Sequence, residues 1–227
     1  MLKNLKRDLQ KLAYPEKAEI LQRFFKTGKG QYGQGDIFLG ITVPDQRKVS
    51  KKYINLNLNN LEKLLHSKIH EHRLVALLIL VEKYKKDNRK IYNFYLKNTN
   101  KINNWDLVDL TAHKIIGNYL LDKPRNILYK LAHSKNLWQK RIAIIATFEF
   151  IRNNQFQDTI KISKILLADK HDLIHKAVGW MLRELGKRDE QVLIKFLKQH
   201  AHHMPRTMLR YSIEKFPEKK KKYYLKK

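Results

Sequence analysis

The chain contains no cysteine, so disulfides, thiol nucleophiles and thiolate metal sites are excluded from its chemistry. Glycine and proline are scarce, at 8 and 5 in 227 residues, which disfavours an all-β fold that would need frequent turn residues. Acidic residues are also few, 21 against 48 lysines and arginines. No window reaches the run of apolar residues that would span a bilayer. The segment from Met1 to Ala13 reads as a basic amphipathic helix without the apolar core of a signal peptide. The expectation is a soluble, cytoplasmic protein with no membrane partner.

What the chain does have is positive charge and helical periodicity. Hydrophobic residues make up 43% of it, enough to bury a core. The net charge of +27 and a pI near 10.1 point to a polyanionic partner, because each phosphate neutralised by lysine or arginine releases condensed counterions. Lysine greatly outnumbers arginine, and Asn and Ile are abundant, so compositional bias is the competing source of the charge. Nucleic acid is the favoured reading. Leu2, Leu5, Leu9 and Leu12 form one helical stripe, and Pro15 starts a second helix carrying Ile20, Leu21, Phe24 and Phe25. Gly28 to Thr42 is the one long loop, Pro44 restarts a helix bearing Val49 and Tyr53, and helix follows helix to about Phe216.

Internal repetition decides the fold class. With Ser67, Ser134 and Asp169 in register, Lys68, Lys135 and Lys170 coincide, as do Ala76, Ala143 and Val178, and Glu82, Glu149 and Glu184. The spacings of 67 and 35 residues are two units and one unit of a repeat. A fourth unit belongs between Asn100 and Leu120. Each unit has an almost wholly apolar helix, the kind that is sandwiched between neighbours in a stack of helix pairs. The expected fold is all-α: a right-handed α-solenoid of HEAT-like repeats with a basic concave face. It should form a single domain over 1–217, followed by a frayed basic tail over 218–227. The repeated glutamates read as structural, Glu82 with Lys86 and Glu184 with Arg188 at i,i+4.

Gly28-Lys29-Gly30-Gln31-Tyr32-Gly33 matches GxGxxG in letters only, since a helix precedes it where the dinucleotide fingerprint needs a strand. His171 and His175 are spaced i,i+4 but lack the glutamate of HExxH and a third ligand. His200, His202 and His203 cluster near a helix end. These read as surface or phosphate-facing residues, so no metal and no cofactor is expected. Asn103 or Asn104 can cap a helix beginning at Trp105, with Trp105 and Asp109 side by side on one face. Two readings of this segment stand: a buried Trp with Asp106 serving the helix dipole, or a carboxylate held beside an indole for chemistry. Register adds weight to the second. Arg73, Asp109, Arg141 and Trp180 come from different units, and Arg183 shares a helix with Trp180. Binding alone accounts for the arginines and indoles of such a groove, whereas Asp109 repels phosphate; a carboxylate there suggests catalysis.

Four segments carry a family resemblance: Gly33-Gln34-Gly35-Asp36 with Phe38-Leu39-Gly40-Ile41-Thr42-Val43-Pro44; Asn104-Trp105-Asp106-Leu107-Val108-Asp109; Trp138-Gln139-Lys140-Arg141-Ile142-Ala143; and Lys176-Ala177-Val178-Gly179-Trp180-Met181-Leu182-Arg183-Glu184. In order and spacing the chain resembles the AlkD-like DNA alkylation repair glycosylases, a HEAT-like family, to about Phe216. The resemblance implies excision of cationic purines such as 3-methyladenine and 7-methylguanine from double-stranded DNA, in base excision repair, without metal or cofactor. It implies Trp105, Asp109, Arg141 and Trp180 as the functional quartet. Arg73, Lys140, Lys176 and Arg183 join Arg141 as expected DNA contacts, and the protein is expected to act as a monomer. The alternative is a HEAT-repeat module that binds nucleic acid without catalysis. A third is a protein scaffold whose charge reflects composition alone.

Overall fold

Polar residues placed just ahead of apolar stretches set many of the helix starts. Thr42, Asn57, Asp87, Asn136 and Asp189 each accept a hydrogen bond from a backbone amide in the first turn that follows. The computed structural model describes residues 1–226, and among these it is all-α, with fourteen α-helices and one isolated parallel bridge between Ile37 and Ile69. None of these helices is long and apolar enough to cross a membrane. Within the span read from sequence as one domain, the chain forms two compact units, divided between Thr111 and Ala112.

The first unit holds α1 (Leu2–Lys11), α2 (Pro15–Phe24), α3 (Val43–Lys52), α4 (Leu58–Leu65), α5 (His70–Tyr84), α6 (Asn88–Lys97) and α7 (Trp105–Asp109). Helix α5 is its hub, packed against α3, α4, α6 and α7, and every residue from His70 to Leu80 is buried. Leu5 and Leu9 of the N-terminal stripe are fully buried, but α2 buries none of its residues, and its Ile20 and Phe24 are exposed. The loop from α2 to α3 is pinned by Glu71, whose carboxylate accepts the amides of Leu39, Gly40 and Ile41 at 2.9–3.3 Å. Gly40 has φ +84°, and a Cβ there would lie 2.2 Å from the Tyr14 carbonyl, so only glycine fits where this loop meets the start of α2.

The second unit begins with a π-helical turn, His113–Gly117, and continues with α8 (Asn126–Ala132), α9 (Leu137–Arg152), α10 (Gln157–Ile165), α11 (Asp172–Arg188), α12 (Glu190–His200), α13 (Arg206–Ser212) and α14 (Glu218–Leu225). The π turn, α9, α11 and α13 form one row, each packed on the next, while α8, α10 and α12 pack against α9 and α11. The aligned apolar segments of the sequence are α5, α9 and α11, each preceded by a shorter partner, α4, α8 or α10. The fourth unit does contain a helix, but a broken one. Thr111 Oγ1 donates to the Leu107 carbonyl at 2.5 Å and α7 stops after five residues.

Two details depart from expectation. The segment past 217 is not frayed: α14 buries Tyr224 beside Phe216 and accepts a hydrogen bond from Arg206 on the Leu225 carbonyl, while Lys227 lies outside the described residues. The repeated glutamates pair at i,i+3, Glu82 with Lys85 at 3.0 Å and Glu184 with Lys187 at 2.6 Å, since the shorter step already closes the contact. The close contact of α11 with α13 depends on Gly179, where a Cβ would lie 2.5 Å from Tyr211 Cβ and 2.6 Å from the Met208 carbonyl. Gly179→Ala should therefore lower unfolding free energy by about 1–3 kcal/mol, despite alanine's better helix propensity. Urea denaturation measures this, and a stabilised variant would contradict the packing.

Candidate active site

Helix α7 brings Trp105 and Asp109 together, as the sequence spacing required. Asn104 Oδ1 accepts the Trp105 amide at 2.8 Å and starts the helix, settling which of the two asparagines is the cap. The Trp105 indole stacks on Phe25 with centroids 5.0 Å apart and planes 13° apart, and meets Phe24 edge-on at 5.9 Å. One face of Trp105 is thus backed by aromatic rings, and the residue stays half-buried. Asp109, four residues on, is also half-buried. Burial, reinforced by the charge of Asp109, pushes the Tyr95 phenol up; it stays protonated and hydrogen-bonded to Thr111 at 3.0 Å.

Behind α7 lies a cluster of buried ions. His70 Nε2 bonds Asp106 Oδ2 at 2.8 Å, and Nδ1 lies 3.4 Å from Asp36 Oδ2. Arg73 Nη2 meets the same Asp36 oxygen at 2.5 Å, and Nη1 donates to the Ser67 carbonyl at 2.8 Å. Asp106 Oδ1 accepts the amide of Leu107 at 2.9 Å. Burial alone would strip the proton from His70. The charge and hydrogen bond of Asp106, aided by Asp36, outweigh it and raise the imidazole to about 9. Burial likewise opposes ionisation of Asp36, but the hydrogen bond from His70 and the charge of Arg73 hold its carboxyl below the usual range. His70 is thereby held protonated and Asp36 ionised at neutral pH.

Arg73, expected to contact DNA, is therefore a member of this cluster; it is 4% exposed and committed to Asp36. The polar run His70-Glu71-His72-Arg73 opening an otherwise apolar helix was the signal for it. A helix buried from its first residue through Leu80 must also bury the charges in its first turn, and their partners have to come from elsewhere in the chain.

In the second unit Arg141 lies near the start of α9, is 5% exposed, and donates to the Leu173 carbonyl at the start of α11. Trp180, on α11, is half-buried with its ring 5.9 Å from Phe148. The other expected DNA contacts in this unit carry carboxylate partners: Lys140 pairs with Asp169, Lys176 with Asp172 at 2.7 Å, and Arg183 with Glu184 and Glu214. His171 Nδ1 caps α11 by accepting the Leu173 amide at 3.1 Å, and His175 Nε2 bonds the Asp169 carbonyl at 2.5 Å, which accounts for both histidines as structural groups.

The His70 cluster has a consequence for pH. A folded-state pKa raised above the unfolded value contributes stability that is complete below about 6.5 and lost as pH climbs through about 9. The melting temperature should fall across this window, and His70→Asn should flatten that part of the profile. A wild-type profile that is flat or rising from pH 6.5 to 9 would rule out the protonated His70 cluster.

The family model described as "DNA alkylation repair enzyme" matches residues 5–216. A solved structure described as a predicted DNA alkylation repair enzyme from Enterococcus faecalis is similar, with a TM-score of 0.69 at 17% identity, covering 91% of this chain and 97% of that one. At that identity the likeness speaks for the fold. No curated protein matches the sequence at a significant level. With the matched span reaching from α1 to the end of α13, the chain belongs to the DNA alkylation repair enzyme family.

Proposed function

We propose that the protein is a DNA glycosylase that hydrolyses the N-glycosidic bond of cationic alkylated purines in duplex DNA. The observation that carries this reading is Asp109, a half-buried carboxylate one helical turn from a half-buried indole, on a helix anchored by its own buried ion cluster. In a chain of net charge +27, a binding surface gains nothing from such a carboxylate, whereas a forming cation does.

Alkylation at N3 or N7 puts positive charge on the purine, so the base leaves as a neutral molecule and needs little help from a general acid. The barrier lies in the sugar, which becomes oxocarbenium-like as the C1′–N bond breaks. The Asp109 carboxylate stabilises that charge and orients or deprotonates the attacking water. The face of Trp105 receives the deoxyribose and its developing charge, and Trp180 is the second indole that the family resemblance assigns to the reaction. Arg141 supports a phosphate near the lesion, mainly through its potential, because so little of its surface is open. Among the remaining cations, Lys176 is the most available to phosphate: its side chain is 41% exposed and its partner Asp172 is 55% exposed. No residue here requires a metal or a cofactor for this chemistry.

Incubation with N-methylated duplex DNA should release free 3-methyladenine and 7-methylguanine, measured by chromatography, while neutral hypoxanthine stays in place. Asp109→Asn should slow release roughly 10²–10³-fold with DNA affinity kept or improved. Wild-type protein that binds the duplex and frees no base would leave only a binding module. A variant as fast as wild type would remove Asp109 from the chemistry.

A further inference from the structure

The last helix, α14, lies beyond the family match, which ends at residue 216. It carries four consecutive lysines, Lys219 to Lys222, and like charges at that density repel one another and oppose ordering. A terminal run of this kind is ordinarily a solvated, unordered tail. Here it is tied down at three points. Tyr224 is buried beside Phe216, and Arg206 donates to the Leu225 carbonyl at 2.7 Å. Lys220 pairs with Glu190 at 2.5 Å, its ammonium 4.5 Å from the centroid of the Phe216 ring.

This anchoring sorts the lysines into two sets. Lys220 and Lys221 are half-buried and spent on carboxylates, Lys221 on Glu218 at 2.8 Å. Lys219, Lys222 and Lys226 are exposed and form no salt bridge among the described residues. With Tyr223, which is 57% exposed, they fall at i, i+3, i+4 and i+7, so all four share the outward face. From Lys219 to Lys226 the stripe runs about 10 Å at ~1.5 Å per residue, roughly three phosphate steps of one strand at about 3.4 Å each.

A basic helix can serve a lipid surface or a polyanion, and its apolar side decides between them. Helices that lie in a membrane interface insert a free apolar face. The apolar side of α14 is already used, with Tyr224 3% exposed and Leu225 half-buried. What remains is charge at fixed spacing, which suits a phosphate backbone. Fixing it in advance also spares the ordering cost that a disordered lysine tail pays on binding. Membership of a DNA repair family makes duplex DNA the polyanion.

We propose that the outward face of α14 is a second docking surface for duplex DNA, built from none of the candidate active-site residues. Lys219, Lys222 and Lys226 each neutralise a backbone phosphate, without reading sequence. The surface holds undamaged DNA on the protein and so lengthens each encounter with a duplex.

Fluorescence anisotropy of the full-length protein with an undamaged duplex, over a range of salt, tests the proposal. The triple variant Lys219→Gln, Lys222→Gln, Lys226→Gln keeps nearly the same helix propensity. It should bind at least about tenfold more weakly at low salt. The slope of log affinity against log salt should fall by about two to three, at roughly 0.9 per lost contact. Lys161→Gln, Lys164→Gln, Lys198→Gln removes the same charge from exposed lysines of α10 and α12 and should change the slope by less than about one. An unchanged slope in the α14 variant, or an equal fall in the charge-matched one, would overturn the proposal. Loss of binding to phosphatidylserine vesicles with DNA binding intact would assign the face to lipid instead. If the triple variant does not fold, Lys222→Gln alone decides, with an expected slope change of about one. An undamaged duplex holds nothing to excise, so failure here leaves the glycosylase reading standing, and failure of base release leaves this surface standing.

Discussion

A helix of five residues has no orientation of its own. One or two hydrogen-bonded turns cannot repay the entropy of forming them, so the direction in which α7 presents Trp105 and Asp109 must come from outside the helix. The His70–Asp106 contact supplies it. Asp106 lies on the buried side of α7, between the half-buried candidate residues Trp105 and Asp109, and its partner sits at the first residue of the long hub helix α5. The Asn104 cap and the Phe25–Trp105 stack fix the start of α7, and Thr111 with Tyr95 fixes its end. Rotating Asp109 by even a fraction of a turn would break several of these contacts together.

Stability alone does not account for placing two cations and two carboxylates in a protein interior. Desolvating such a cluster offsets most of its Coulombic gain, and well-packed apolar residues of equal volume serve as well or better. Directionality is what apolar residues cannot offer. Asp36 brings the long loop, His70 and Arg73 bring α5, and Asp106 brings α7, so three segments distant in sequence meet at charge-assisted hydrogen bonds of defined geometry. The same logic explains Glu71, whose buried carboxylate holds three successive amides of that loop.

Much of this was legible in the sequence. The register of Ala76, Ala143 and Val178 marks three helices, of which α5 and α9 are buried along most of their length, because an apolar pattern on every side has no other way to be satisfied, while α11 buries one face. The pairing of Trp105 with Asp109 follows from helical geometry, and the cap follows from Asn104. Arg73 was misjudged because register assigns a residue to a face of a repeat but says nothing about a partner thirty-odd positions upstream; Asp36 is such a partner. The apolar face of α2 is a related case. Periodicity shows that a stripe exists, whereas its partner can be an open cavity as readily as a packed neighbour.

The distribution of charge also shows how a strongly basic chain could engage a polyanion without many dedicated contacts. Lys140 and Arg183, nearest in sequence to Arg141 and Trp180, have side chains 19% exposed and are bound to carboxylates, so a phosphate must compete with partners already in place. Lys176 and Asp172 form a far more open pair, whose exchange for a phosphate costs little. Most of the net charge of +27 therefore acts as a field, drawing in a polyanion over distances set by ionic strength rather than by geometry. Geometry is reserved for the acid. A carboxylate works against that field at every point except where positive charge is being created, and on the glycosylase reading proposed above that point is the sugar carbon.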